Sequence, residues 1–250
     1  KFVLQEISSL TDKIVVISNK AADFCRTIYK IPDSKIEVIN HGIPEISLNT
    51  AESKKILKLQ ERKVIITFRL ICMNKIIETI IQALPAVVQN HPEAMYVCLG
   101  KTHPAVKKKE GEQYRNYLYK LARDLGVLDH IIFRDEFISD EDLKYYLSAA
   151  DILVTPYHNE EQISSGPLTF AMGAGVAIVS TPYWYAQEML ADNRGQLFDF
   201  GNSRQLADIL DGLLNDPDKL NGYKSRSKLL GQQLTWPKMS EKYLHLVDKL

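Results

Sequence analysis

Residues 64–89 read VIITFRLICMNKIIETIIQALPAVVQ, and this stretch decides the fold class. It opens with a continuous apolar run, Val64–Phe68, which is typical of a strand buried on both faces of a parallel sheet. It closes with a helical pattern, Ile76–Gln89. The short loop between the two elements carries two cations, Arg69 and Lys75.

The same strand–helix unit recurs along the chain, which predicts βαβ units and a doubly wound, Rossmann-like α/β fold with a parallel sheet. The predicted strands are Ile14–Ile17, Ile36–Ile39, Val64–Phe68, Met95–Leu99, Ile131–Phe133, Ile152–Val154, Val176–Val179 and Gln196–Phe198. The clearest predicted helices are Ile76–Gln89, Glu112–Leu125, Asp140–Ala149, Pro167–Gly173, Ser203–Leu214, Lys219–Leu230 and Trp236–Leu250, with Asp140 and Ser203 as N-caps.

Four segments are predicted from the spacing of these elements. Residues 1–42 form the end of one domain and a hinge, and residues 43–62 form a polar linker. Residues 63–234 form one complete compact domain, and residues 235–250 form a closing amphipathic helix. Because the chain begins inside a helical pattern and without Met, we expect most of the first domain to lie outside it.

Composition narrows the function classes. The 31 basic and 31 acidic side chains give a net charge of zero, which argues against a nucleic-acid partner. The cysteines are three in number and far apart, so neither a metal site nor a disulfide framework is expected. With no signal peptide and no apolar run near the roughly 20 residues of a membrane span, we expect a cytoplasmic protein.

Ligands of open parallel sheets bind at the carboxyl ends of the strands, so the strand exits hold the candidate site residues. Arg69 and Lys75 could bind a diphosphate without metal, although two solvated loop cations are the more ordinary interpretation of the residues alone. Gly100 follows the next strand and would let a backbone segment approach a ligand, although a plain turn after the strand is an equally ordinary interpretation. Arg134 and Phe137 follow the strand after that, where backbone contacts and an apolar wall could hold a base.

The densest polar segment, residues 155–166, reads TPYHNEEQISSG and precedes a predicted helix, which suits a phosphate and sugar cradle. A long surface loop is the alternative. Residues 183–185 are three aromatics that could line a sugar pocket or pack against the missing domain. His41, in the hinge, is more often structural than functional in such a setting.

Several segments, in this order, resemble glycosyltransferase family 4, also called glycosyl transferases group 1. They are KIEVINHGIP at residues 35–44, residues 69–75, VCLG at 97–100, LGVLDHIIF at 125–133, ADILVTP at 150–156, EQISSGPL at 161–168 and STPY at 180–183. The match covers nearly the whole chain and is closest to a bacterial branch in which Glu-Gln-x-Ser-Ser-Gly replaces the Glu-x7-Glu motif.

The resemblance implies a GT-B fold and a retaining sugar transfer from a nucleotide-diphospho-sugar, with no cofactor and no essential metal. Residues 63–234 would bind the donor, and residues 1–42 would belong to the acceptor-side domain. The implied site residues are Arg69, Lys75 and Glu161 for catalysis; Gly100, Arg134, Phe137, Gln162, Ser164, Ser165, Gly166 and Leu168 for donor binding; and His41, Thr181 and Tyr183 for a possible sugar pocket.

The expected acceptor is a saccharide or glycolipid of polysaccharide or glycolipid assembly. Any membrane contact would be made by the missing N-terminal domain, and we expect the chain to turn over poorly by itself. Two departures from the family pattern support an alternative, an inactive donor domain that serves as a binding or scaffold module. Ile76 stands where the family has glycine, and Thr169 or Phe170 stands where it has the second acid. Another GT-B enzyme, an epimerase or phosphorylase, is a third possibility.

Overall fold

The computed structural model describes residues 2–250, apart from the side chain of residue 74. Its strands are β1 (Ile14–Val16), β2 (Ile36–Val38), β3 (Lys63–Phe68), β4 (Ala94–Leu99), β5 (Ile131–Arg134), β6 (Ile152–Thr155), β7 (Ala177–Ser180) and β8 (Gln196–Leu197). Its α-helices are α1 (Phe2–Leu10), α2 (Asn19–Thr27), α3 (Thr50–Ile56), α4 (Ile77–Asn90), α5 (Pro104–Glu110), α6 (Gln113–Asp124), α7 (Asp140–Ala149), α8 (Gly166–Ala174), α9 (Trp184–Met189), α10 (Ser203–Asn215), α11 (Pro217–Gly231) and α12 (Trp236–Val247).

All eight predicted strands are present, with ends that move by at most one residue. Three short helices, α3, α5 and α9, were not predicted, and α3 lies within the stretch expected to be a polar linker. Two predicted N-caps are wrong by one position. The side chains of Ser139 and Asn202 accept the capping hydrogen bonds, so Asp140 and Ser203 are the first helical residues instead.

The main sheet has six parallel strands in the order β5-β4-β3-β6-β7-β8. The chain runs outward from β3 to β5, then returns to the centre and runs outward in the opposite direction from β6 to β8. The connections that leave β3 and β6 therefore diverge, and a crevice opens at the carboxyl ends of these two strands. The predicted doubly wound fold is confirmed.

Helices cover both faces of this sheet. One apolar core lies between the sheet and α4, α6 and α10, and a second lies between the sheet and α7, α8 and α9. Strands β4, β6 and β7 are buried along their whole length, which explains their continuous apolar sequences. No helix among residues 2–250 combines the length and apolar character needed to cross a membrane.

A small sheet formed by β1 and β2 stands apart from the main one and is joined to it by α2 and α9. The Glu188 carboxylate accepts from the backbone N–H of Asn19 at 3.0 Å and of Lys20 at 3.3 Å, at the N-terminus of α2. The ring of Trp184 packs against Phe24 with centroids 5.0 Å apart. This aromatic residue thus packs against the N-terminal segment of the chain.

A buried carboxylate fastens α3 and α11 to the opposite, amino end of the main sheet. Asp151 accepts hydrogen bonds from the Lys54 ammonium at 2.8 Å, the Val64 N–H at 2.9 Å and the Lys224 ammonium at 3.0 Å. Burial by itself would raise the pKa of Asp151, but Lys224, Lys54 and the Val64 N–H outweigh it and hold the pKa below its ordinary value.

We expect Asp151→Asn to lower the free energy of unfolding by about 3 kcal/mol, because it leaves two half-buried ammonium groups without their counter-charge. Urea unfolding at pH 7 measures the loss. Asp208→Asn, the same change on the exposed face of α10, should stay within about 0.5 kcal/mol of the wild type.

The sign of the pH dependence follows from the lowered pKa of Asp151. Its contribution is complete above about pH 4 and disappears as the pH falls further, so the difference between wild type and Asp151→Asn should shrink there. A difference that stays constant down to pH 3 would contradict the role of the ionised carboxylate.

The loop between β3 and α4 ends on a strained residue. Ile76 has φ 47° and ψ 47°, the left-handed conformation that a β-branched side chain rarely adopts. It is followed directly by the first turn of α4, and its carbonyl accepts from the Thr79 N–H. The backbone thus adopts a conformation that favours glycine at this position, despite the isoleucine.

We expect Ile76→Gly to raise the free energy of unfolding by about 0.5 kcal/mol, because relief of about 1–2 kcal/mol of strain exceeds the entropic cost of glycine. Ile56→Gly, the same change in the right-handed backbone of α3, should lower it by about 1 kcal/mol. Chemical denaturation of both variants checks the comparison, and equal destabilisation by the two changes would contradict it.

Candidate functional site

Two cations meet over one aromatic ring at the crevice of the main sheet. The Arg69 guanidinium, from the exit of β3, lies 4.9 Å from the ring centroid of Tyr157, which follows β6. The Lys75 ammonium lies 4.6 Å from the same centroid. The sheet topology thus brings together three residues from two loops that diverge from neighbouring strands.

Neither cation has a counter-anion among the described residues. Lys75 is only 8% exposed yet forms no ion pair there, and the Nη1 atom of Arg69 is buried without a hydrogen-bond partner. Burial first, and then the Arg69 guanidinium, lower the pKa of Lys75 to about 8. Burial raises the pKa of Tyr157, so the phenol is neutral at pH 7 and does not balance the charge.

The N-terminus of α8 adds hydrogen-bond donors beside Tyr157. Ser165 is the N-cap, and its hydroxyl accepts from the Leu168 N–H at 3.3 Å. Pro167 has no N–H to donate. The backbone N–H groups of Ser165 and Gly166 donate to no atom in the described part of the chain. The nearby Ser165 hydroxyl also lowers the pKa of Tyr157. The Tyr157 hydroxyl itself has no hydrogen-bond partner of normal geometry among the described residues.

Gly100 makes room for protein backbone. Its φ is +132°, and a Cβ atom there would lie 1.8 Å from the Arg69 carbonyl oxygen. The Gly100 N–H donates to the Arg134 carbonyl at 3.0 Å, so the exits of β3, β4 and β5 touch one another at this residue. The space that the sequence prediction left for a ligand at this glycine is occupied by the loop that carries Arg69.

An apolar cavity of about 800 Å³ adjoins Arg69, which is one of its lining residues. Its walls come from the exits of β3, β4 and β5 and include Phe68, Gly100 and Phe137. Phe137 is 81% exposed, and the side chain of Arg134 points to solvent outside this wall. The cavity is large enough for a flat aromatic ligand with an attached sugar.

The polar loop after β6 is held against α9 by its backbone. The carbonyls of Glu160 and Gln162 accept from the amides of Trp184 and Tyr185. The Glu161 side chain is exposed, and the Gln162 carboxamide donates to the Ser164 carbonyl at 2.8 Å. Glu161 is therefore available to a ligand, whereas Gln162 shapes the loop.

Thr169 is buried and Phe170 is half-buried, so this turn of α8 presents no acid in place of the family's second one.

Three predicted pocket residues lie behind or beside the site. Thr181 is fully buried and donates to the Tyr157 carbonyl at 2.6 Å. Tyr183 is also fully buried and stacks on Tyr157 with centroids 5.2 Å apart. The prediction that these two line a sugar pocket is not supported by their position, since both support the Tyr157 ring from within. His41 packs between Phe170 and Trp236 at the hinge.

Tyr157 was missed as a site residue, although it stands at a strand exit within the polar segment that was singled out. No local signal distinguishes an aromatic residue that supports two cations from one that fills a core. Among residues 2–250, no three His, Cys, Asp or Glu side chains are grouped so that they could hold a metal ion. The two cations can bind a divalent anion, and the adjoining cavity can hold an apolar ring of the same ligand.

The sequence profile of the family described as Glycosyl transferases group 1 matches residues 49–229. The spore coat protein SA of Bacillus subtilis is 24% identical over 205 residues, which are 79% of this chain and 52% of that protein. A GDP-mannose-dependent alpha-(1-6)-phosphatidylinositol monomannoside mannosyltransferase of Mycobacterium tuberculosis is 25% identical over 229 residues, 87% of this chain and 56% of the enzyme. The chain thus spans about half the length of these relatives.

Solved structures share the fold. HepE of Anabaena, determined in complex with UDP, superposes with a TM-score of 0.80 at 17% identity. The superposition covers 96% of this chain and 64% of HepE. The C-terminal domain of LpcC, a group 1 glycosyl transferase of Francisella tularensis, gives a TM-score of 0.66 at 21% identity, with 76% of this chain and 94% of that domain covered. These likenesses confirm the GT-B fold class; the narrower assignment to family 4 stays a prediction. Because the family profile covers well over half of the sequence, the chain belongs to the glycosyl transferases of group 1.

Proposed function

We propose that this chain binds the nucleotide-diphospho-sugar donor of a retaining glycosyltransferase, with the diphosphate between Arg69, Lys75 and the N-terminus of α8. One observation carries the proposal. Two cations without a counter-anion converge at the crevice of a parallel sheet, next to the unused amides of Ser165 and Gly166. A diphosphate supplies the charge and the acceptor oxygens that this arrangement lacks.

The same residues would act in the chemical step. When the bond between sugar and diphosphate breaks, negative charge develops on the departing phosphate oxygen. Cations already held in place stabilise the transition state, in which this charge develops, more strongly than they stabilise the bound donor. This difference lowers the barrier without a metal ion. Arg69 and Lys75 are therefore the proposed catalytic residues. Retention of configuration is an implication of the family resemblance.

The rest of the donor fits the neighbouring features. We assign the base and ribose to the apolar cavity beside Gly100 and Phe137. The exposed carboxylate of Glu161 would accept from hydroxyls of the sugar, since an acid there would repel the phosphates. HepE was solved with UDP and the mycobacterial relative uses GDP-mannose, so both bases belong in the first ligand panel.

The acceptor would be a saccharide or a lipid-linked saccharide in cytoplasmic polysaccharide or glycolipid assembly. Residues 1–42 are the proposed acceptor-side segment, 43–62 the link, 63–234 the donor domain and 235–250 the closing helix. The mycobacterial relative, named for a phosphatidylinositol monomannoside acceptor, supports a glycolipid as one candidate. Membrane contact through the acceptor-side domain is part of the same proposal.

We expect Lys75→Ala to weaken binding of UDP or GDP by about 10–100-fold, because it removes a charge-assisted contact to the diphosphate. Binding of the matching nucleoside should change less than about twofold, because the base cavity lacks Lys75. Titration calorimetry with both ligands measures the two effects.

The matched control is Lys219→Ala, which removes an exposed cation from α11. It should leave both affinities unchanged. Equal weakening of nucleotide and nucleoside by Lys75→Ala would contradict the phosphate role, and a wild-type protein that binds no nucleoside diphosphate at millimolar ligand would overturn the proposal.

The affinity for the nucleoside diphosphate should fall above pH 8. The pKa of Lys75 is about 8 in the unliganded protein, and the diphosphate binds the protonated form. Above that pH binding requires uptake of a proton, so Kd should rise about tenfold for each further pH unit. Calorimetry between pH 7 and 9.5, in buffers of different ionisation enthalpy, measures both quantities.

Lys75→Arg is the control for this pH dependence, because a guanidinium stays protonated throughout the range. Its Kd should be flat from pH 7 to 9.5. A flat profile for the wild type would show that Lys75 does not contact the diphosphate or that it is fully charged in the unliganded protein.

A further inference from the structure

A buried arginine behind the cavity has no part in the site described so far. Arg115 lies on α6 and is only 4% exposed. It occupies the same helix face as Leu118 and Ala122, which are fully buried in the core. Burial of a permanently charged guanidinium in the core costs free energy unless the group is well paired. The groups that Arg115 contacts therefore indicate which segments it holds in position.

Arg115 connects the exits of two neighbouring strands. Its Nη2 atom donates to the Gly100 carbonyl at 2.7 Å, after β4, and pairs with the Asp135 carboxylate at 2.9 Å, after β5. Its Nε atom donates to the Thr102 hydroxyl at 3.3 Å, and this hydroxyl in turn donates to Glu112. We call Arg115, Asp135 and the Gly100 carbonyl the strand-exit clamp.

The held segments form two walls of the apolar cavity. Gly100 and Thr102 line one side, and Glu136 and Phe137, directly after Asp135, line another. Without the clamp, these two loops would still be joined by the hydrogen bond from the Gly100 N–H to the Arg134 carbonyl, but the residues beyond Arg134 would lose their anchor. Arg115 therefore adds a side-chain link between the loops that form these two walls.

We infer that Arg115 is a positioning residue that sets the base selectivity of the donor site. The inference rests on the proposed donor function. Arg115 does not line the cavity, so it acts through the two loops whose residues do. A cavity with fixed walls matches one base edge and rejects others, whereas a cavity with loosened walls fits every base less well and discriminates less.

The test compares Arg115→Gln with the wild type in binding of UDP, GDP, ADP and CDP by calorimetry. The wild type should prefer one base by about tenfold or more. In Arg115→Gln we expect affinity for the preferred nucleotide to fall about tenfold and the ratio between preferred and rejected bases to move close to one. A merely structural role would lower all four affinities by the same factor and leave the ratio unchanged.

Two further variants keep the test decisive. Asp135→Asn removes one link of the clamp at a carboxylate that is 43% exposed, so it should fold and show a smaller shift of the ratio in the same direction. Arg123→Gln, the same substitution at an exposed position of α6, should change nothing. Folding of each variant is checked by thermal denaturation.

The outcomes separate the two proposals. If the wild type binds no nucleoside diphosphate, the donor function fails and the role of Arg115 fails with it. If the wild type binds with a clear preference, and folded Asp135→Asn and Arg115→Gln keep the wild-type ratio, the clamp inference is overturned and the donor function stands.

Discussion

Uncompensated positive charge at the crevice of the main sheet is the constraint on which the rest of the site depends. Arg69 and Lys75 repel each other, and burial makes the charged form of Lys75 still less favourable, as its lowered pKa shows. The face of the Tyr157 ring offsets part of this cost through two cation–π contacts. The ring stays neutral, so it does not cancel the positive potential, which the proposed diphosphate would balance.

The backbone of the loop that carries the cations is also unusual. The loop that carries them must leave β3, pass the exit of β4 and enter α4 within a few residues. Gly100 permits the passage because the Arg69 carbonyl occupies the space of a side chain, and Ile76 permits the turn into α4 at the cost of left-handed strain. Strain and unpaired charge lie within one loop, whereas Asp151 and its two ammonium partners stabilise the opposite end of the sheet.

The strands could be predicted because strands buried on both faces are written as continuous apolar runs, as in β6 and β7. Helix α3 could not, because its seven polar-rich residues follow no clear apolar period. Its place is fixed by the ion pair between its own Lys54 and Asp151, which lies in a distant part of the chain. The search at strand exits pointed to Arg69 and Lys75, which lie over one ring in the structure, but sequence position did not reveal which residues are buried. Thr181 and Tyr183 also follow a strand, yet they are buried beneath the residues that could reach a ligand.

Arg115 did leave a signal, a charge on the apolar face of a helix, which becomes meaningful once its partners are known.

The two halves of the site, charged and apolar, are joined through Gly100. Its missing side chain accommodates the Arg69 carbonyl, its own carbonyl is held by Arg115, and its N–H is bound to the exit of β5. The distance between the cations and the cavity is therefore set by a rigid backbone junction. An inorganic anion would satisfy only the charged half, and a free nucleoside only the apolar half. A nucleoside diphosphate satisfies both with one loss of translational freedom, so a fixed junction favours the whole ligand over either part.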